Sequence, residues 1–319
     1  MRILITGGSG FIGRNLRDGL TTRPPATAPR YDVVAPTSVE LDLSDDERVR
    51  EYLRAERFDV IVHAATTRSN RRVTAPAEML DKNCRMFFNL VRNRDAFGKM
   101  ICFGSGAQYG PRGLLPLRVK EEYFDTRVPV DAYGFSKYLC AKWMECSTHP
   151  NAAKSAPLGW GTLRSVVELR LFAVFGSYED YTVRFISNAC ARAAKGLPIM
   201  VRQDVLFDYM YVKDLGPIVR WFTENDARHA AYNVCSGRPV RLTEIAKMVA
   251  EVSGKNPEIP VKNPGMGEAY TGDNTRLLEE MAGYKFWDLR EAIADLYRWY
   301  EAHEAEIDER ALKFDEKSG

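Results

Sequence analysis

Tyr133 and Lys137, in the run Tyr-Gly-Phe-Ser-Lys, are two residues whose types and spacing could move a proton. On a helix, positions i and i+4 share a face, so the phenol and the ammonium can point into one site. A free phenol titrates near ~10, too high for efficient proton exchange at neutral pH. A neighbouring lysine cation favours the phenolate and lowers that value. Ser105 closes an apolar run, four residues before Tyr109 in a Gly-Ser…Tyr-Gly frame, and its hydroxyl can hold a substrate oxygen. Alone, such a pair is a common chance spacing, with the tyrosine packed and the lysine solvated.

A second site near the N-terminus changes that weighting. Thr6-Gly7-Gly8-Ser9-Gly10-Phe11-Ile12-Gly13 directly follows the strand-like run Arg2–Thr6 and opens a helical pattern. In a strand–turn–helix unit, Gly7 permits the tight turn, Gly10 lets backbone approach a pyrophosphate, and Gly13 lets helix and strand pack closely. The helix start, at Phe11 and Ile12, presents free N–H groups and partial positive charge to phosphate. This context predicts dinucleotide binding.

The elements that must position these residues follow from periodicity. Strands are expected at Arg2–Thr6, Asp32–Ala35, Val60–Ala64, Met100–Gly104 and Val166–Phe175. Helices are expected between them, at Gly10–Leu20, Asp45–Arg57, Ala77–Arg94 and Tyr133–Cys146. Such alternation predicts a parallel sheet with helical crossovers. Ser44 with Glu47 three residues on has the pattern of a capping box. After Gly176 the rhythm changes: helices at Val183–Lys195, from Asp214, Leu242–Val252 and Leu289–His303, with short strands near Asp208–Val212 and Tyr232–Val234. The expected organisation is a dinucleotide-binding domain over 1–178 and a smaller lobe over 179–319, with a strand near 231–235 returning to the main sheet. Thr21–Arg30, Gly110–Val130 and Pro150–Gly161 read as loops from their Pro, Gly and Ser content. Glu301–Gly319 reads as a solvated helix with a frayed tail.

Composition removes whole classes. With 45 Lys+Arg against 43 Asp+Glu, the chain does not have the basic excess of a nucleic-acid binder. Apolar stretches are interrupted within about ten residues, short of the ~20 a membrane span needs. MRILITGG reads as the first strand, not a signal peptide. The six cysteines form no C-x-x-C pair, which suits reduced thiols in a cytoplasmic protein. Four scattered histidines give no metal-ligand spacing, so no metal is expected.

The Gly-x-x-Gly-x-x-Gly turn with Ser105, Tyr133 and Lys137 resembles the extended short-chain dehydrogenase/reductase superfamily, in its nucleotide-sugar epimerase/dehydratase branch. Further matches are Asp42-Leu43 after the second strand, where the branch contacts adenine, His63-Ala64-Ala65 after the third, and Asn83 in the next helix. The resemblance implies a Rossmann-type doubly wound α/β fold with a C-terminal substrate lobe. It also implies that Lys137 hydrogen-bonds the nicotinamide ribose. Pairing of Ala77–Arg94 with Tyr133–Cys146 across a homodimer is a further implication.

For the cofactor, NAD and NADP both stay open, with the weight on NADP. NAD-selective members end the second strand on an acidic residue that accepts from the ribose 2′-hydroxyl. That end here reads Ala35-Pro36-Thr37-Ser38, and Thr37 and Ser38 can donate to a 2′-phosphate. Asp32 starts the strand instead of ending it, and Arg14 is near in sequence.

Departures from the branch narrow the reaction. Its dehydratases carry Asp-Glu after the Ser/Thr, where this chain has Gly106 and Ala107. Members that couple 3,5-epimerisation to reduction use a Cys and a His, where this chain has Ala107 and Thr182. What remains can reduce a ketone or oxidise an alcohol. The expected function is a nucleotide-sugar 4-ketoreductase; the alternatives are a C4 epimerase with retained NAD and a non-catalytic dinucleotide-binding regulator. Two substrate-gripping arginines of the branch are Phe207 and Asn263 here, so a substrate without a diphosphate also stays open. Arg184, Arg202, Arg276 and the basic loop Arg68–Arg72 are candidate substitutes.

Overall fold

The computed structural model describes residues 1–21, 31–67, 75–148 and 166–312. The loops expected at 22–30 and Pro150–Gly161, the basic loop Arg68–Arg72 and the end of the tail lie outside the described residues.

Apolar, β-branched runs form a six-stranded sheet. Its strands are β1 (Arg2–Thr6), β2 (Asp32–Val34), β3 (Phe58–His63), β4 (Phe97–Ser105), β5 (Val166–Leu171) and β10 (Ala231–Val234). The order is β10-β5-β4-β3-β1-β2, with every pairing parallel. Alternate side chains leave opposite faces of a strand. Ile3, Ile5, Val60, Val62, Ile101 and Phe103 therefore build one core, and Leu4, Ile61, Met100 and Cys102 the other. The helices α1 (Phe11–Thr21) and α6 (Leu215–Glu224) pack on the first face. On the second lie α2 (Asp46–Glu56), α3 (Pro76–Val91) and α4 (Ala132–Thr148). This is the doubly wound arrangement.

From β1 the chain goes to β2 on one side and β3 on the other, so the winding reverses between β1 and β3. Open parallel sheets bind ligands at the carboxyl end of such a switch point. The glycine turn and His63-Ala64-Ala65 stand there.

Beyond β5 the chain adds β6 (Val174–Phe175), α5 (Phe185–Ala194), β7 (Val201–Asp204), β8 (Leu206–Phe207), β9 (Met210–Tyr211), β11 (Val240–Arg241), α7 (Leu242–Ser253), β12 (Val261–Met266), α8 (Thr275–Glu280) and α9 (Leu289–Ala302). Three two-stranded sheets, β11-β8, β12-β7 and β6-β9, accompany the helices.

Three local expectations differ. The strand expected over Val166–Phe175 is broken: Phe172 N–H bonds the Val234 carbonyl of the main sheet, while the Ala173 carbonyl accepts from Met210 and starts the small sheet. The cap of α2 is Asp45, whose carboxylate accepts from Arg48 N–H at 3.1 Å. Ser44 instead gives its hydroxyl and N–H to Asp42, which takes it out of the capping position. The segment after Glu301 is not simply solvated, since Ile307 and Leu312 are buried and the Leu312 carbonyl accepts from Arg192. Among the described residues no helix is long and apolar enough to cross a membrane.

Candidate active site

The cradle at the switch point is backbone shaped around missing side chains. Gly7 has φ +70°, and a Cβ there would stand 2.7 Å from Ala65 Cα. A Cβ on Gly13 would meet the Gly7 carbonyl at 2.1 Å. Gly10 N–H donates to the same carbonyl at 2.9 Å, closing the turn before α1 begins at Phe11. The first amides of α1, at Phe11, Ile12 and Gly13, have no acceptor within the helix and face the crevice end as donors. Thr6 Oγ1 takes Ala65 N–H at 3.2 Å and pairs with His63 Nδ1 at 2.9 Å, fixing Ala64 and Ala65 against the turn. Burial, with Lys137 adding to it, pushes His63 down to about 3, so it is a neutral strut. A close, donor-lined backbone cradle of this kind fits a dinucleotide pyrophosphate.

At the other end of the cradle, beyond β2, Thr37 and Ser38 are exposed. Thr37 donates both its N–H (2.6 Å) and its hydroxyl (2.9 Å) to the Glu40 carboxylate. These two bonds hold Glu40 below the usual carboxylate range. Asp42 is likewise lowered, by Ser44, while Leu43 is buried and its carbonyl accepts from Asn89. Asp32 pairs with Arg2 at 3.1 Å at the far end of β2. The Arg14 guanidinium lies over the Tyr178 ring at 5.2 Å.

Ser105 ends β4, and α4, which carries Tyr133 and Lys137, packs against the carboxyl end of that strand. Asp131 caps α4, accepting from Gly134 N–H at 2.8 Å. A Cβ on Gly134 would come within 2.8 Å of the Ala107 carbonyl, so the first turn of α4, with Tyr133, packs onto the short 3-10 turn after Ser105. Lys137 donates to the Phe103 carbonyl at 2.8 Å. Asn83 brackets Thr67 with two bonds, 2.7 and 3.0 Å, and reaches Ser136 Oγ at 3.1 Å. Ser136 in turn donates to the Tyr133 carbonyl at 2.8 Å. The loop after β3 is thereby tied to α4.

Behind Ser105 stands a buried polar network that sequence reasoning missed. Gln108 accepts from Ser105 N–H and donates to Glu168, both at 2.9 Å, and Arg170 Nε bonds Glu168 at 2.7 Å. Arg170 continues to the Tyr109 hydroxyl at 3.0 Å, and that hydroxyl donates to Asn233 at 2.6 Å. Burial pulls the Arg170 guanidinium down, but Glu168 and Tyr109 together raise it above its ordinary value. The available signal was the strand Val-Val-Glu-Leu-Arg-Leu, where two charged residues interrupt an apolar run. Tyr270 was also missed. Its hydroxyl would lie 2.5 Å from a Cβ on Gly106, beside Ser105, and no local motif marks it.

Residues 3–235 match the NAD dependent epimerase/dehydratase family. The chain belongs to that family. The GDP-6-deoxy-D-mannose reductase of Pseudomonas aeruginosa is 28% identical over 281 residues, covering 82% of this chain and 83% of that one. A GDP-L-fucose synthetase from Naegleria fowleri, solved with NADP bound, has a TM-score of 0.80 at 14% identity, over 95% of this chain and 93% of that one. The UDP-glucose 4-epimerase of Thermotoga maritima has a TM-score of 0.75 at 20% identity, over 95% and 99%. Family membership and the glycine cradle together make this an NAD(P)-dependent enzyme of the extended short-chain dehydrogenase type.

Phe207 stacks on Tyr209, ring centroids 5.4 Å apart, and Asn263 lies exposed on β12. Of the substitutes, Arg276 is engaged by Glu122 and the Ala231 carbonyl, whereas Arg184 and Arg202 are exposed. Thr182 gives its hydroxyl to Asp180 at 2.6 Å.

Proposed function

We propose that this chain is a nucleotide-sugar 4-ketoreductase, with NADPH as the preferred donor. The carrying observation is the pair of residues after Ser105, Gly106 and Ala107, neither of which can move a proton where a dehydrating or 3,5-epimerising member needs a proton-moving group. Thr182, turned to Asp180, adds no base. The bound nicotinamide supplies hydride. Ser105 holds the carbonyl oxygen of the substrate, Tyr133 gives that oxygen its proton, and Lys137, anchored on Phe103, keeps positive charge beside the phenol and meets the ribose. Gly7, Gly10, Phe11, Ile12 and Gly13 take the pyrophosphate; Thr37, Ser38, Asp42, Leu43, Ala64, Ala65 and Asn83 frame the rest of the dinucleotide. The GDP-6-deoxy-D-mannose reductase, similar over most of both chains, supports a keto-deoxysugar nucleotide as substrate.

The reading extends to a cytoplasmic homodimer formed through α3 and α4. The Phe87, Phe88 and Trp143 rings meet edge-on between these two helices. The boundary between the dinucleotide and substrate halves falls near residue 178 in this reading.

The test is to incubate the chain with NADPH or NADH and a panel of nucleoside-diphosphate 4-keto-6-deoxy sugars. Stoichiometric loss of NADPH with a 4-hydroxy product is expected. A second reading, C4 epimerase, is favoured by the Glu40 carboxylate on Thr37, an anion at the place a 2′-phosphate would occupy. Denaturing the protein as purified and finding near-stoichiometric NAD would move the assignment to that epimerase.

A further inference from the structure

Beside Ser105 and Gly106, Phe172, Tyr270 and Phe207 form an aromatic cluster. Phe172 is buried, and its ring would stand 2.6 Å from a Cβ on Gly106, next to the Tyr270 hydroxyl. Tyr270 N–H bonds the Leu206 carbonyl (2.9 Å), and its own carbonyl takes Asp208 N–H (3.1 Å). Tyr270 and Phe207 are thereby held side by side, ring centroids 5.8 Å apart and planes inclined by 59°. The notch between them is filled by Arg112, from the 3-10 turn Arg112–Leu114 in the segment after Ser105. Its guanidinium carbon is 5.2 Å from the Phe207 centroid and 4.7 Å from that of Tyr270.

Arg112 is exposed on its outer side and forms no ion pair among the described residues. A guanidinium stacked on rings keeps its edge N–H groups for a partner, in the fork that matches two phosphate oxygens. Arg184 brings a second cation to the same quarter. Burial raises the Tyr209 hydroxyl, with Glu179 adding to it, while Arg112 and Arg184 both act against that rise.

We propose that Arg112, seated in the Phe207–Tyr270 notch, is the anchor for the diphosphate of the nucleotide sugar. It takes over from the two family arginines that this chain lacks, at 207 and 263. Phe207 is then the platform that replaces a gripping residue: an arginine at 207 would set two cations against each other, whereas a ring orients one. The proposal rests on the nucleotide-sugar reading above and commits it to a substrate that carries a diphosphate.

The experiment is calorimetric titration of the full chain with GDP, UDP and GMP, beside NADPH as a control for an intact fold. Arg112→Gln is expected to weaken the best nucleoside diphosphate about 10- to 100-fold, the range of a lost charge-assisted hydrogen bond. NADPH binding should stay unchanged, and the loss should shrink as salt is raised. Glu268→Gln, removing a carboxylate that borders Gly113, is expected to tighten the same ligand. Phe207→Arg placed on Arg112→Gln should restore part of the affinity. Equal binding of GDP and UDP by wild type and Arg112→Gln overturns the anchor and leaves the nucleotide-sugar reading standing. A wild-type chain that binds NADPH but no nucleoside diphosphate overturns the reading itself, and the anchor with it.

Discussion

Gln108 joins Ser105 to Glu168: one end of its amide accepts the serine's N–H and the other donates to the carboxylate, each at 2.9 Å. Ser105, the proposed holder of the substrate oxygen, is thus tied through Gln108 to a buried ion pair on β5. Relative exposures of 2% for Glu168 and 4% for Arg170 mean that neither charge can fall back on water. Glu168→Gln leaves Arg170 buried without its counter-charge, and the expected loss is about 3–5 kcal/mol in a denaturant titration. Gln108→Ala removes only the neutral bridge and should destabilise by about 1–3 kcal/mol. It should also lower kcat more than it raises KM, because it loosens Ser105 without touching the substrate pocket. An unchanged kcat in Gln108→Ala would show that the bridge serves stability alone.

Tyr133→Phe removes the hydroxyl proposed as proton donor while keeping the ring. Turnover is expected to fall about 10²–10⁴-fold. NADPH affinity, read by fluorescence titration, should remain near wild type. Lys137→Met should lose comparable turnover and also weaken dinucleotide binding, since the ammonium serves both partners. Full activity in Tyr133→Phe would sink the enzymatic reading in favour of a dinucleotide sensor.

Thr37 and Glu40 bear on cofactor choice. The two Thr37 donors hold the Glu40 carboxylate below the usual range, so a 2′-phosphate bound through Thr37, as proposed, would compete with Glu40 for them. Glu40→Gln removes the anion and loosens its hold on Thr37. The ratio of NADP to NAD affinity is expected to rise severalfold, by equilibrium titration of both forms. A ratio that does not move assigns Glu40 to turn geometry only.

Asp214 sets a pH dependence of stability. It is 1% exposed, accepts from the Tyr284 hydroxyl (2.7 Å) and Trp287 N–H (3.2 Å) on one oxygen, and its other oxygen has no partner among the described residues. Burial pushes it up to about 6, against those two donors. A carboxyl whose folded value is raised binds its proton more tightly when folded. It therefore contributes stability below the unfolded value near 3.8, and that contribution is lost as pH rises through about 6. Relative to Asp214→Asn, the wild type should lose about 2 kcal/mol between pH 4 and pH 7.5. Parallel stability curves for the two proteins across that range would refute this.

The legible parts of the molecule were those with local signatures. Gly7, Gly10 and Gly13 announce the cradle because their spacing is imposed by one turn, and β1, β3 and β4 announce themselves by unbroken apolar runs. Tyr133 and Lys137 were visible because a helix converts a spacing of four into a shared face. What escaped is non-local. Gln108, Glu168 and Arg170 meet only after β4 and β5 pair, and Tyr270 reaches Gly106 from far down the chain. The break at Phe172 was hidden because the run Val166–Phe175 contains no Gly, Pro or other turn residue, and only the partner strands show which sheet each residue joins. Ser44 was mistaken for a cap because Asp42, two residues away, competes for it.

That break has a mechanical meaning. Phe172 is clamped to one sheet and Ala173, the next residue, to another, so the peptide between them carries the passage from the main sheet to the small β6–β9 sheet with no slack. A hinge needs residues free to absorb a change in φ and ψ, and both neighbours here have already committed theirs. At this crossing the spacing between the two sheets is a dimension of the scaffold, like the bore of a fixed gauge.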